Sequence, residues 1–150
     1  MAADTQKKVV PSVSSGTAGP LGAVHLPRMW LKISLAAADA LPEGYDECGP
    51  GFDAMTLSAL GLDRQKTIDF IRQNRPTYME FEEWVVENGD TGKETIEKHN
   101  AAIRGYHHSD EHAKGMRESS KIKNSWVKDA VTLNTVEDLD EMHKSFSVSS

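Results

Sequence analysis

The run from His25 through Leu-Pro-Arg-Met-Trp-Leu-Lys-Ile-Ser-Leu-Ala-Ala-Ala-Asp-Ala to Leu41 constrains the fold more than any other part of the chain. Pro27 falls where a first helical turn tolerates proline, because its missing N–H would have had no intrahelical partner. Leu26, Trp30, Ile33, Ala37 and Leu41 then recur at three- and four-residue steps, which is one face of a helix. Met29, Leu31, Leu35, Ala36 and Ala40 widen that face, so the spacing predicts a central helix ended by Pro42 and Gly44. Arg28, Lys32 and Asp39 fall near one stripe of the same helix. A buried charge without a partner is strongly unfavourable, so these charges must be paired or used.

Helix signals punctuate the rest of the chain. Phe52 to Leu60 reads as a short helix, with Gly61 suited to its left-handed cap and Leu62 to the contact that closes it. Asp63 caps a helix carrying Ile68, Phe70 and Ile71, which stops at Pro76. Thr77 and Glu80 form a capping box before Phe81, Trp84 and Val85, and Thr91 with Glu94 repeats it before Ile96, His99 and Ile103. Ser109 can cap a further helix, and Thr135 can open the last, with Leu139, Met142 and Phe146. Trp126 to Leu133 has β-branched content but no partner strand, and a lone strand cannot satisfy its backbone, so it is expected to be extended or irregular. Residues 1–22, rich in Ser, Gly, Pro and Thr, read as a flexible leader, and residues 147–150 as a frayed tail. The expectation is therefore all-α: one domain over residues 23–146, a compact bundle of about six short helices with one extended segment near the C-terminus.

At 150 residues this is one domain's worth of chain, long enough to bury a core without staples. The formal charge is -6, and no basic cluster marks a nucleic-acid partner; Lys121-Ile122-Lys123 reads as a solvated face. No run approaches the ~20 apolar residues of a membrane span, so no membrane partner is expected. No apolar region follows Lys7 and Lys8, which argues against a secretory signal. A single cysteine, Cys48, allows no internal disulfide and suggests a reducing, cytoplasmic compartment.

The pieces now described resemble those of an uncharacterised family of small, mainly bacterial helical proteins, catalogued as a domain of unknown function. His25-Leu-Pro-Arg-Met29 with Lys32 resembles its opening helix, and Gly44-Tyr-Asp-Glu-Cys48 with the run from Phe52 to Asp63 resembles its second helix and turn. Glu82-Glu-Trp-Val-Val-Glu-Asn-Gly89 resembles a Trp-Val helix end, and Ser125-Trp126 to Leu133 a Trp-bearing segment near its C-terminus. Together these span residues 22–134. The family tends to place an acid just before the lysine, where this chain has Leu31. The resemblance implies a helical fold and brings no activity with it.

Arg28 and Lys32 are the candidate anion-binding residues: arginine offers a planar fork and lysine a point charge. His25, before the helix, and Tyr45 are the candidate catalytic proton carriers. His108 and His112 have the four-residue spacing of a zinc pair, but no convincing third ligand lies nearby, so no metal is expected. Asp46 and Glu47 disfavour a Cys48 thiolate. The aromatic residues Trp30, Trp84, Trp126, Tyr78 and Phe81 are expected chiefly in the core. There is no phosphate loop of Walker or Rossmann type, so no cofactor is expected.

Two functions fit. The first is a cytosolic protein that binds or acts on a small anionic organic molecule, using cofactor-independent acid–base chemistry of the lyase, isomerase or hydrolase type. The second is a non-enzymatic adaptor or structural subunit that meets a protein partner. The sequence leaves oligomeric state open.

Overall fold

Proline, glycine and capping residues divide the chain into helices joined by short turns, and the computed structural model, which describes residues 7–147, contains seven of them. In chain order they are α1 (Leu26–Ala37), α2 (Phe52–Ala59), α3 (Arg64–Asn74), α4 (Tyr78–Asn88), α5 (Lys93–Arg104), α6 (Asp110–Ser119) and α7 (Ala130–Ser147). The described residues form no strand, only two isolated bridges, Ala18 with Val24 and His107 with Asp129. The all-α expectation holds at this level.

The ends of the helices follow local chemistry. Asp63 accepts the Lys66 amide at the start of α3, and Ser109 the His112 amide at the start of α6. Thr77 and Glu80 form the full reciprocal box on α4. At the end of α2, Leu62 N donates to Leu57 O at 2.8 Å and Gly61 N to Ser58 O at 3.2 Å, with Gly61 at φ 66. This paired bonding satisfies carbonyls the helix would otherwise leave open, and the positive φ suits a residue without Cβ.

α1 packs on α3 and α4, α2 on α5, and α7 on α5 and α6. Leu26, Met29 and Ile33 of α1 are fully buried against Ile71, Phe81 and Val85 in the main core. A smaller core joins Ala113 and Met116 of α6 to Leu133 of α7, with Ile122 and Val127 packed on it.

Several expectations are corrected. The last helix starts at Ala130, five residues before Thr135, because Asp129 supplies the cap: its carboxylate accepts the Thr132 amide at 2.9 Å. That absorbs half of the expected extended segment, Ala130 to Leu133, and makes α7 a long helix, which runs through Ser147. Among the described residues there are seven helices, not about six. Thr91 does not cap α5; Gly92 occupies the cap position, while the Asp90 carboxylate takes the Gly92 amide and the Thr95 hydroxyl. α1 stops at Ala37, before Pro42, and Asp39 lies beyond it, exposed, at φ 55 and 3.5 Å from Lys8. Trp30 keeps its expected place, packed half-buried against the main core with Nε1 donating to Pro76 O at 3.1 Å, but Trp126 lies outside both cores, 74% exposed.

The leader is corrected too, from residue 7 onward. Residues 7–22 lie along the bundle as a strap: Val9 N donates to Ala40 O, Leu21 N to the Glu82 carboxylate, and Pro11 and Ser15 are buried. Composition suggested too little burial to offset ordering entropy, but polar groups of the bundle hold the strap through its backbone. Gly19 permits the approach, since a Cβ there would come within 2.6 Å of both Tyr78 and Glu82 side-chain atoms. Residues 1–6 of the expected leader and residues 148–150 of the expected tail lie outside the described residues.

Candidate functional site

The stripe at His25, Arg28 and Lys32 faces inward, and tertiary structure supplies each charge with a partner. His25 sits at the N-terminal cap of α1 with φ 69, a left-handed conformation that histidine adopts more readily than most side chains. Its ring is buried and both nitrogens are bonded: Nδ1 lies 2.9 Å from Ser15 Oγ and Nε2 2.7 Å from Asp53 Oδ1. Burial pushes the imidazole below its ordinary value, against the opposing hydrogen bond and charge of Asp53. The neutral ring then donates from Nε2 to Asp53 and accepts the Ser15 hydroxyl at Nδ1, which leaves no polar atom open.

Asp53, in the first turn of α2, is the hub of this network. Lys32 Nζ donates to its Oδ2 at 2.5 Å, and Gly49 N donates to the same oxygen at 2.7 Å. Burial alone would raise the Asp53 carboxyl; the bond from His25 and the charge of Lys32 outweigh it and hold the group at about 2. The same carboxylate, after burial itself, contributes to pushing the neighbouring Cys48 thiol up.

Arg28 forms the second centre. It grips Asp138 of α7 with both prongs, at 2.7 and 3.2 Å, and Nη1 also donates to Pro11 O at 2.5 Å and Val13 O at 2.9 Å. The Tyr45 hydroxyl donates to Asp138 Oδ1 at 3.0 Å. Burial, then the charge and hydrogen bond of Asp138, push the Tyr45 phenol well above its ordinary range. One stripe of α1 thus ties together the strap, α2, the 43–49 loop and α7.

Beside the stripe lies an open cleft of about 530 Å³ between α1, the loop at residues 43–46 and α7. Arg28, Lys32 and Tyr45 line it, and His25 does not. Its wall carries six carboxylates, from Glu43, Asp46, Glu137, Asp138, Asp140 and Glu141, against the cations of Arg28, Lys32 and Lys144. Burial, followed by the charge of Asp138, raises the Glu137 carboxyl.

Of the residues singled out from sequence, Arg28, Lys32 and Tyr45 converge on one cleft, and Asp39 points elsewhere. Ser15, Asp53 and Asp138 escaped sequence reasoning: they lie 10, 28 and 110 residues from their partners His25 and Arg28. The one available signal was the inward stripe itself, which required acids from somewhere. The His108 and His112 rings meet edge to face at 4.5 Å, and no group of three or more metal-ligating side chains occurs among the described residues. Nor do the described residues include a helix long and apolar enough to cross a membrane. In comparisons with known proteins, no family model matches the chain and no curated protein matches it.

Proposed function

We propose that the protein binds a small organic molecule in the cleft between α1 and α7, and that the bound group is a cation such as an amine. The observation that carries this reading is the charge of the wall. Its two innermost cations already have partners: Arg28 is matched to Asp138 and Lys32 to Asp53. Glu43, Asp46, Glu137 and Asp140 then leave the cleft with an unbalanced negative field, which favours a positive guest and repels a carboxylate or phosphate. An anion would have to displace Asp138 from Arg28, which costs a buried, bidentate pair.

We read the cleft as a binding site before an enzymatic one. The Tyr45 hydroxyl is committed to Asp138, and His25 is turned away behind Lys32 and Asp53. The volume suits a molecule of modest size.

A thermal-shift screen tests this with diamines, alkylguanidines, simple carboxylates and inorganic phosphate. A ligand that prefers the folded state raises the melting temperature. The expected result is stabilisation by an amine that is lost in Glu137→Gln with Asp140→Asn, residues outside the ion pairs of the wall. Stabilisation by carboxylate or phosphate alone would restore the anion-binding reading. The adaptor reading has its own observation: Leu139 is 57% and Phe146 74% exposed on the far half of α7. Silence in the screen together with concentration-dependent association in sedimentation would favour it.

A further inference from the structure

The turn between α6 and α7 presents a tryptophan to solvent, and its surroundings explain why. Ile122 and Val127 take the two apolar places against Ala113, Met116 and Leu133. The turn is fixed by Ile122 N donating to Arg117 O, Val127 N to Asn124 O, and the Arg117 guanidinium to Val127 O. With Ile122 and Val127 seated, the turn projects Trp126 outward, 74% exposed. A tryptophan that open is unusual, since the residue is highly buried on average.

The turn also differs in charge from the rest of the molecule. The turn, residues 120–129, carries Lys121, Lys123 and Lys128 against the single acid Asp129, so it is +2 in a chain of -6 and leaves -8 elsewhere. All three lysines are exposed, and Lys128 makes only a surface pair with Asp110 at 3.4 Å. The turn is thus a positive segment in a chain of net negative charge, which favours its approach to a negative surface.

We propose that the α6–α7 turn is a peripheral docking site for an anionic lipid bilayer, with the Trp126 indole entering the headgroup layer and the three lysines facing lipid phosphates. Tryptophan and lysine are the side chains that favour that interface, one by its amphipathic ring and the other by its charge. A single aromatic residue on a projecting turn suits a flat surface better than a nucleic-acid strand, which is held by successive stacking residues along a basic groove. The association is a surface one and weak: each net positive charge adds about fivefold, so with +2 on the turn anionic vesicles should be preferred roughly twenty-five-fold over neutral ones.

The test uses the full chain with phosphatidylcholine vesicles and with the same vesicles carrying phosphatidylglycerol. Tryptophan emission and co-sedimentation are read at rising lipid and then at rising salt. Binding to the anionic vesicles, a blue-shifted emission that disappears in Trp126→Ser, and loss of most of the preference in Lys121→Gln with Lys123→Gln and Lys128→Gln are expected. These sites are exposed, so unchanged thermal unfolding shows that the variants still fold. No binding to either vesicle, equal binding to both, or full binding by the triple variant would overturn the proposal. So would binding of single-stranded RNA or an acidic peptide at Trp126 with the vesicles ignored.

Discussion

Arg28→Ala separates a structural arginine from one held ready for a ligand. The guanidinium is buried and bonds to Asp138 twice and to the carbonyls of Pro11 and Val13. Its removal leaves the buried Asp138 carboxylate with only the Tyr45 hydroxyl, and two strap carbonyls without their donor. Breaking one side of a buried pair costs about 3–5 kcal/mol, since the abandoned charge keeps its desolvation penalty. Domains of this kind are stable by roughly 5–15 kcal/mol, so the loss is a large share of the total. Urea unfolding followed by circular dichroism should show the drop, and Asp138→Ala should show one of similar size. The double variant Arg28→Met with Asp138→Leu should recover most of it, because an apolar pair strands no charge. A loss below about 1 kcal/mol for Arg28→Ala would refute the reasoning, since that is the value of an exposed pair. Arg28 would then be free to serve as the anion-binding residue expected from sequence.

Stability should fall as pH drops below about 6.5, because burial holds both His25 and His99 below their ordinary value and the unfolded chain binds the protons first. The histidine contribution is complete above that pH and fades below it at up to about 1.4 kcal/mol per pH unit per histidine. The Asp53 contribution is present above about pH 3.9 and is lost as pH falls toward about 2. Urea midpoints that stay flat between about pH 8 and 5 would contradict this burial of neutral imidazole. Gly89→Ala should destabilise by about 1–3 kcal/mol in the same assay, since overpacking forces neighbours aside. Its Cβ would meet Leu60 O at 2.6 Å, and that carbonyl is held by the Asp90 amide. Gly115→Ala, inside α6 with nothing within 4 Å of its Cβ, is the control and should be tolerated.

Local chemistry determined several of the helix ends. Thr77 with Glu80, Asp63, Ser109 and the Gly61 turn act within a few residues of themselves, so their behaviour is written in neighbouring letters. The apolar face of α1 is legible for the same reason, as a three- and four-residue period that places Leu26, Met29 and Ile33 together. The inward charges of α1 were visible too, together with the requirement that they be paired.

Which acids pair them was decided only in three dimensions. Asp53 and Asp138 reach α1 across 21 and 110 residues of chain, and no spacing rule connects such positions. The strap shows the same limit: residues 7–22 have a leader's composition, and backbone bonds to distant side chains such as Glu82 and Arg28 order them. Trp126 shows it in the opposite sense. Hydrophobicity places a tryptophan inside, but the two apolar places were taken by Ile122 and Val127, and the turn left the larger ring in solvent. Local propensity reads along the chain, whereas burial is a competition between segments far apart in it, and that competition is settled only when the whole chain has packed.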